Sequence, residues 1–176
     1  MQLGIPHRTD LVLRPFPEAV EASLLYAFVE KNREHLCTGI PEFESVQSVE
    51  FAQQLLQFLE ENMQEQTDWH YAIYHQEEFV GYVGLNEIDW TKREAELAYW
   101  IAEEAQGKGI ATDAASRLLT YGVDHLDLRS IHAECELKNP RSYRVLERLQ
   151  FQWLHTRLVP HGDDFQSGAI GYFEWK

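Results

Sequence analysis

Apolar residues recur along this chain with two periods, and the switches between them outline a fold. Val49, Ala52, Leu55, Leu56, Leu59 and Met63 repeat at three- and four-residue intervals behind Ser45 and Ser48, either of which is a good N-cap. The spacing predicts one amphipathic helix there. Upstream, Leu11–Arg14 reads as a short strand closed by Pro15 and Pro17. Glu18–Lys31 reads as a helix and Arg33–Leu36 as a second short turn before Pro41 breaks the chain. Downstream the period drops to two. Trp69–His75, Glu78–Asp89 and Glu94–Ile101 are extended, and in the last Ala95, Leu97, Tyr99 and Ile101 alternate with Glu94, Glu96, Ala98 and Trp100. Short turns at Gln76-Glu77 and near Thr91-Lys92 make these three an antiparallel meander. After Gln106–Ala111 the helical period returns, with Ala111, Ala115, Leu118, Leu119 and Leu126 on one face. A strand (Ser130–Leu137), a helix (Pro140–Arg148), a strand (about Phe151–Leu158) and an aromatic last strand (Gly168–Trp175) follow. The order predicts a mixed α+β sheet with helices packed on it.

A length of 176 residues suits one hydrophobic core, so residues 1–176 are expected to form a single domain. Met1–Asp10 has no apolar core segment or small-residue cleavage site, and no uncharged apolar run approaches the roughly 20 residues that span a bilayer. A cytoplasmic protein without membrane contact is expected. Cys37 and Cys135 lie far apart without a ligand spacing, which fits a reducing compartment and argues against a zinc site. Cys135 shares a face with Ile131, Ala133 and Leu137 and reads as a core thiol rather than a nucleophile. The formal charge of −14 repels phosphate backbones, so nucleic acid is not expected as a partner. A basic peptide or a polyamine is permitted, although an acidic surface also serves solubility alone.

Two segments carry candidate chemistry. Gln106-Gly107-Lys108-Gly109-Ile110-Ala111 joins an extended run to a helix start, and its glycines allow several N–H groups to converge at the helix's positive end. Such a turn suits a pyrophosphate, with Lys108 as an extra charge. It differs from a Walker loop and from the dinucleotide fingerprint, and a glycine turn of this kind is also a common structural device. Asn139-Pro140-Arg141-Ser142-Tyr143 opens the next helix: Asn is a favoured N-cap and Pro a favoured first residue. Its position one strand beyond the glycine turn suggests that both helix starts face one elongated ligand.

These segments, together with Ala95-Glu-Leu-Ala-Tyr-Trp-Ile101, Gly81-Tyr-Val-Gly-Leu-Asn86 and Val145-Leu-Glu-Arg-Leu149 before Phe151, resemble the GNAT superfamily of N-acetyltransferases. Within it they resemble the branch containing the ribosomal-protein N-terminal acetyltransferases. The resemblance spans nearly the whole chain. It implies a mostly antiparallel twisted sheet of about seven strands with splayed middle strands and about four helices. It also implies acetyl-CoA as co-substrate, its pyrophosphate held by the amides of Gly107, Lys108, Gly109, Ile110, Ala111 and Thr112 after Gln106. The pantetheine arm would pair with the strand ending at Trp100-Ile101. Asn139 would reach that arm and Ser142 the thioester sulfur. Leu149-Gln150-Phe151 stands where the family usually has Leu-Gly-Phe, and Trp153 follows where a smaller group is expected.

An alkyl amine must lose a proton before it attacks, and the resemblance places a frequent base of the superfamily at Glu96. A surface or ion-paired glutamate is the alternative. His132, His155 and His161 compete through their pKa, and His161 lies where the ribosomal-protein enzymes carry an acceptor-side residue. A free N–H near Trp100 or Ile101 could stabilise the oxyanion, and Ser142, or else Tyr143, could protonate the departing thiolate. The scheme uses no metal and no covalent enzyme intermediate. The expected acceptor is a protein N-terminal amine such as that of a ribosomal protein. A small amine (polyamine, amino acid or aminoglycoside) and a non-catalytic acyl-CoA-binding module are the alternatives, and a homodimer is compatible with each. Acceptor choice would lie in the loops Cys37–Phe43 and Val159–Gly168.

Overall fold

Among the described residues, eight strands hydrogen-bond into one sheet in the order β1-β2-β3-β4-β5-β6-β8-β7. The strands are β1 (Leu3–Ile5), β2 (Arg8–Pro15), β3 (Trp69–His75), β4 (Glu78–Asp89), β5 (Glu94–Ile101), β6 (Ser130–Glu136), β7 (Gln152–Val159) and β8 (Gly168–Trp175). This computed structural model describes residues 1–159 and 168–176. Every pairing is antiparallel except β5 with β6. The helices are α1 (Phe16–Ala19), α2 (Ala22–Gly39), α3 (Val49–Glu65), α4 (Ile110–Leu126) and α5 (Pro140–Arg148).

The meander β3-β4-β5 lies where the alternation places it, and its first turn uses positive φ at Gln76 (51°) and Glu77 (66°), which matches the twist of the flanking strands. Three features depart from the sequence expectation. Strand β1 adds an eighth strand; three residues are too few for alternation to register. The expected break after Lys31 is absent, and α2 runs on to Gly39. Asn32 Nδ2 donates to the Phe28 carbonyl (2.9 Å) and Arg33 to those of Phe43 and Val46, so these polar residues brace the continuous helix and do not end it. The one-turn α1 is the fifth helix.

The buried residues form one cluster with two faces. On one, α4 packs against the sheet through Ile110, Ala114, Ala115, Leu118 and Leu119, and Gly122 lets Leu85, Leu128 and Ile131 approach. On the other, α1 and α2 cover an aromatic group around Trp100. Its ring lies 5.3–6.1 Å from those of Phe16, Phe28, Phe43, Phe79 and Tyr82. Ser48 caps α3 by accepting from the Phe51 amide (3.2 Å).

Helix α5 ends in a Schellman arrangement. The Phe151 amide donates to the Leu146 carbonyl (3.0 Å) and the Gln150 amide to that of Glu147 (3.0 Å), with both apolar partners buried. Gln150 accordingly sits at φ 65°, a conformation that glycine adopts without cost, which accounts physically for the usual Leu-Gly-Phe. Gln150→Gly should therefore stabilise the protein by about 1 kcal/mol, read as a raised urea midpoint with an unchanged slope.

Candidate active site

The site is built on an incomplete strand pairing. Strand β5 is paired to β4 along nearly its whole length, whereas β6 meets it only over Glu94–Glu96 against Ser130–His132. Beyond Glu96 the two part: β6 continues on β8 and β5 on β4. The register shows which groups this leaves open. The Ala102 amide donates to the Val80 carbonyl (2.8 Å), so Ala98 and Trp100, at even spacing from it, turn their backbone groups to β4. Leu97, Tyr99 and Ile101 turn theirs to the opening, where the Ile101 carbonyl already lies 3.1 Å from His35 Nε2. Of the two sequence-derived candidates, Ile101 offers its amide to the opening, and Trp100 serves as the anchor of the aromatic group.

At the far end of the opening lies the glycine turn. Gly107 and Gly109 have φ of 74° and 75°, and Gly109 is the N-cap of α4. A Cβ at Gly107 would meet nothing within 4 Å, so the turn faces free space, and both glycines are required by conformation rather than by crowding. The amides of the first turn of α4 have no intrahelical acceptor, which leaves those from Ile110 to Thr112 directed outward beside the turn. A brace holds it from below: Arg8 donates to the Lys108 carbonyl (3.3 Å) and to Asp113 (2.8 Å) while its other nitrogens grip Asp10 (2.9 and 3.1 Å). That pairing holds the Asp10 carboxyl down to about 2. Gln106 spans the opening, accepting from Arg141 of α5 and lying 2.8 Å from His35 of α2. Convergent amides at one end and a free strand edge running from it fit a diphosphate joined to an amide-containing arm. The residues present therefore suit coenzyme A.

Across the opening, Asn139 Oδ1 accepts from the Ser142 amide (3.1 Å), so its side chain caps α5. Ser142 Oγ lies 2.9 Å from Tyr99 Oη, which also donates to the Ser142 carbonyl (3.2 Å). Burial pushes the Tyr99 phenol well above its usual value. Tyr143 instead packs edge-on against Phe173, at 5.7 Å. Tyr99 is thus the phenol that reaches Ser142, and alternation alone hides it among the core-facing positions. Cys135 is buried, its Sγ 3.3 Å from the Glu136 carbonyl, and burial raises the thiol, as a core position requires.

Glu96 stands at the fork on the opposite face, beside the last paired residues. Its carboxyl is half-buried and raised, first by burial and then by the charges of Glu134 and Glu87. Of the competing histidines, His132 lies 3.3 Å from Ser130 Oγ and 4.0 Å from Glu94. His155 stacks on Tyr172 at 4.5 Å. His161 lies outside the described residues.

Residues 10–152 match the family model of the acetyltransferase (GNAT) domain. The ribosomal-protein-serine acetyltransferase of Escherichia coli K12 is 31% identical over 81 residues, 46% of this chain and 45% of that protein. The spermidine N(1)-acetyltransferase of Vibrio cholerae is 36% identical over 76 residues, 43% and 44% of the two. The chain thus spans less than half the length of these two curated relatives. Among solved structures, RimL, a ribosomal L7/L12 alpha-N-protein acetyltransferase in complex with coenzyme A, superposes with a TM-score of 0.87 at 24% identity. The match covers 97% of this chain and 96% of that one and shows a shared fold.

The glycine turn yields a direct test. Gly109→Val would impose a β-branched residue on φ 75°, at a cost of about 1–3 kcal/mol, and would disturb the amides that converge there. Calorimetry should show coenzyme A affinity reduced at least tenfold in the folded variant; unchanged affinity would place the cofactor elsewhere.

Proposed function

The chain belongs to the acetyltransferase (GNAT) family, and from that premise we propose that it is an N-acetyltransferase, one domain over residues 1–176. In this reading it transfers an acetyl group from acetyl-CoA directly to a primary amine. The observation that supports this best is the parted β5–β6 pair, with an anion-binding turn at one end and a raised carboxyl at the fork.

Acetyl-CoA supplies the activated acetyl thioester. Leu97, Tyr99 and Ile101 offer a row of backbone groups along which an amide-containing arm can lie, and Asn139 and Ser142 close the far side. Glu96 takes the proton that the acceptor ammonium must lose. Its raised pKa brings it closer to neutrality, where a base is both available and strong enough. The Ile101 amide faces the opening and can hold negative charge on the acetyl oxygen. Ser142 and Tyr99, already hydrogen-bonded to each other, donate to the departing sulfur, with Tyr99 in the part that sequence reasoning gave to Tyr143.

The acceptor is a protein N-terminal amine such as that of a ribosomal protein, a reading supported by the ribosomal-protein-serine acetyltransferase relative. A polyamine is the second reading. It rests on the spermidine acetyltransferase relative and on the carboxylates of Glu87, Glu96 and Glu134, which together favour a multiply charged cation. The two free cysteines suit the reducing cytoplasm. Thiol release from acetyl-CoA, followed across N-terminal peptides, polyamines and aminoglycosides, should show turnover with one class; release with none would leave a binding module.

With the productive acceptor, two substitutions test the roles. Glu96 must be ionised to act, and its folded pKa is raised, so the rate should climb with pH through a value above the ordinary 4.5. Glu96→Gln should lose that limb and about a hundredfold in kcat at constant acetyl-CoA affinity; a near-wild-type profile would make Glu96 structural. Tyr99→Phe and Ser142→Ala should each lower kcat without weakening acetyl-CoA binding, the signature of contacts made in the transition state. A lowered melting temperature with preserved kcat would reduce Ser142 to part of the helix start.

A further inference from the structure

Behind the fork runs a line of buried polar groups that the reaction above leaves unused. Asp68 is buried and its carboxylate accepts from Asn62 Nδ2 (2.6 Å) and from the Glu87 amide (2.7 Å). The second contact holds Glu87 at φ 52° within the bulge of β4. His70, two residues along β3, is only 3% exposed. Its Nδ1 lies 2.8 Å from Tyr82 Oη, and its Nε2, without a hydrogen-bond partner among the described residues, lies 3.5 Å from Asp68 Oδ2. Tyr82 Oη in turn lies 3.1 Å from Asn86 Oδ1. The phenol reaches along its strand because residue 84 is glycine. A Cβ there would collide with the Tyr82 hydroxyl and stand 2.9 Å from Asn86 Oδ1. Trp100 stacks on the same phenol at 5.6 Å and fixes its plane.

The direction of the protons in this line follows from Asp68. If Nδ1 carried the hydrogen of the neutral ring, the lone pair of Nε2 would face a carboxylate, and a buried acceptor would be left bare against an anion. With the hydrogen on Nε2, His70 points it at Asp68 and accepts at Nδ1 from the Tyr82 hydroxyl. The Tyr82 hydroxyl then has no hydrogen left for Asn86 Oδ1, and half a turn of that amide, whose two ends match in shape, would set Nδ2 to donate to the Tyr82 oxygen instead. The Tyr82 hydroxyl and the Asn86 amide each then have an acceptor, the Nε2 hydrogen of His70 faces the Asp68 carboxylate at 3.5 Å, and each bond polarises the next. The ring stays neutral because burial pushes its pKa down to about 4, against the pull of Asp68. So turned, Asn86 would point its carbonyl oxygen away from Tyr82. It stands directly opposite Glu96 in the β4–β5 register, so both side chains leave the same face of the sheet at the fork.

We propose that Asn86, oriented by the line Asp68, His70 and Tyr82, accepts a hydrogen bond from the incoming amine beside Glu96. The inference rests on the acetyl-transfer reading. A primary amine approaching the thioester has more than one N–H to place: Glu96 takes the proton that is lost, and the Asn86 carbonyl holds a second N–H so that the lone pair faces the acetyl carbon. Asn86 is the substrate contact, and His70 and Tyr82 are positioning residues that act through it. The chain's geometry is thus spent on direction, which proximity alone does not supply.

Two measurements test it. Nitrogen NMR of the wild-type protein at neutral pH should show His70 with a protonated Nε2 and an unprotonated Nδ1; the opposite tautomer would overturn the proposal whether or not the enzyme turns over. Kinetics then use whichever probe the wild type acetylates, a serine-starting peptide or spermidine. Tyr82→Phe, which removes only the hydroxyl, and Asn86→Ala, at the open end of the line should Tyr82→Phe fail to fold, are each expected to raise the acceptor KM about tenfold, the worth of one hydrogen bond. Coenzyme A affinity by calorimetry should stay constant. A folded variant with a lowered melting temperature but unchanged acceptor KM would leave the line purely structural. Absence of transfer by the wild type would defeat the acetyl-transfer reading, and with it the amine contact, while the tautomer of His70 would still be read.

Discussion

The separation of β5 from β6 is the constraint on which everything else rests. Two neighbouring strands ordinarily satisfy each other's backbone groups, and here they do so for three residues before each is carried off by its other neighbour. Strand β5 is held to β4 and anchored by Trp100 among five aromatic rings, whereas β6 is held along its length by β8. The open edge that results would be unstable if sealed, because unpaired buried amides and carbonyls are costly. The fold therefore leaves it to a ligand that can supply donors and acceptors of its own.

The charges are arranged to suit the two ends of that edge. A chain with a formal charge of −14 is a poor place for a diphosphate, and the glycine turn answers with backbone amides and a helix terminus, whose partial charges do not depend on side chains. The nearest acidic group, Asp113, is bound by Arg8 and so contributes little repulsion. At the fork the negative charge is left standing. Burial first raises the Glu96 carboxyl, and the field it shares with Glu134 and Glu87 raises it further and, in the proposed reaction, would attract a cationic amine. One electrostatic choice serves attraction and basicity together.

Much of this was legible in the sequence because the deciding signals are local. The period switch at residues 69–101 located the meander, and Gly107 and Gly109 marked a turn that needs positive φ. Ser48 and Asn139 both act as the caps that their residue types suggest. What escaped was set by distant partners. Alternation placed Tyr99 with the core side chains and could not show that Ser142, on another element, would meet its hydroxyl. The insertion of β8 between β6 and β7 has no periodic signature. The Asp68–His70–Tyr82 line joins β3, the residue just before it and β4, whose sequence pattern records burial but not pairing. Even Gln150, read as a departure, became intelligible only with its φ of 65°.

The division of labour between backbone and side chain also explains what similarity does and does not carry over. A cofactor held by amides and a strand edge asks little of the sequence beyond two glycines and a helix start. A protein only 24% identical can therefore keep the same fold over nearly its whole length. In the proposed site the acceptor would be met by side chains: the carboxylates at the fork, the Asn86 amide and the loops beyond the sheet. Each is free to change without disturbing the edge, since none contributes to the pairing of β4, β5 or β6. Relatives named for a ribosomal-protein serine and for spermidine can thus share one framework, and in the proposed site acceptor specificity would fall to the Glu96 face rather than to the open strand.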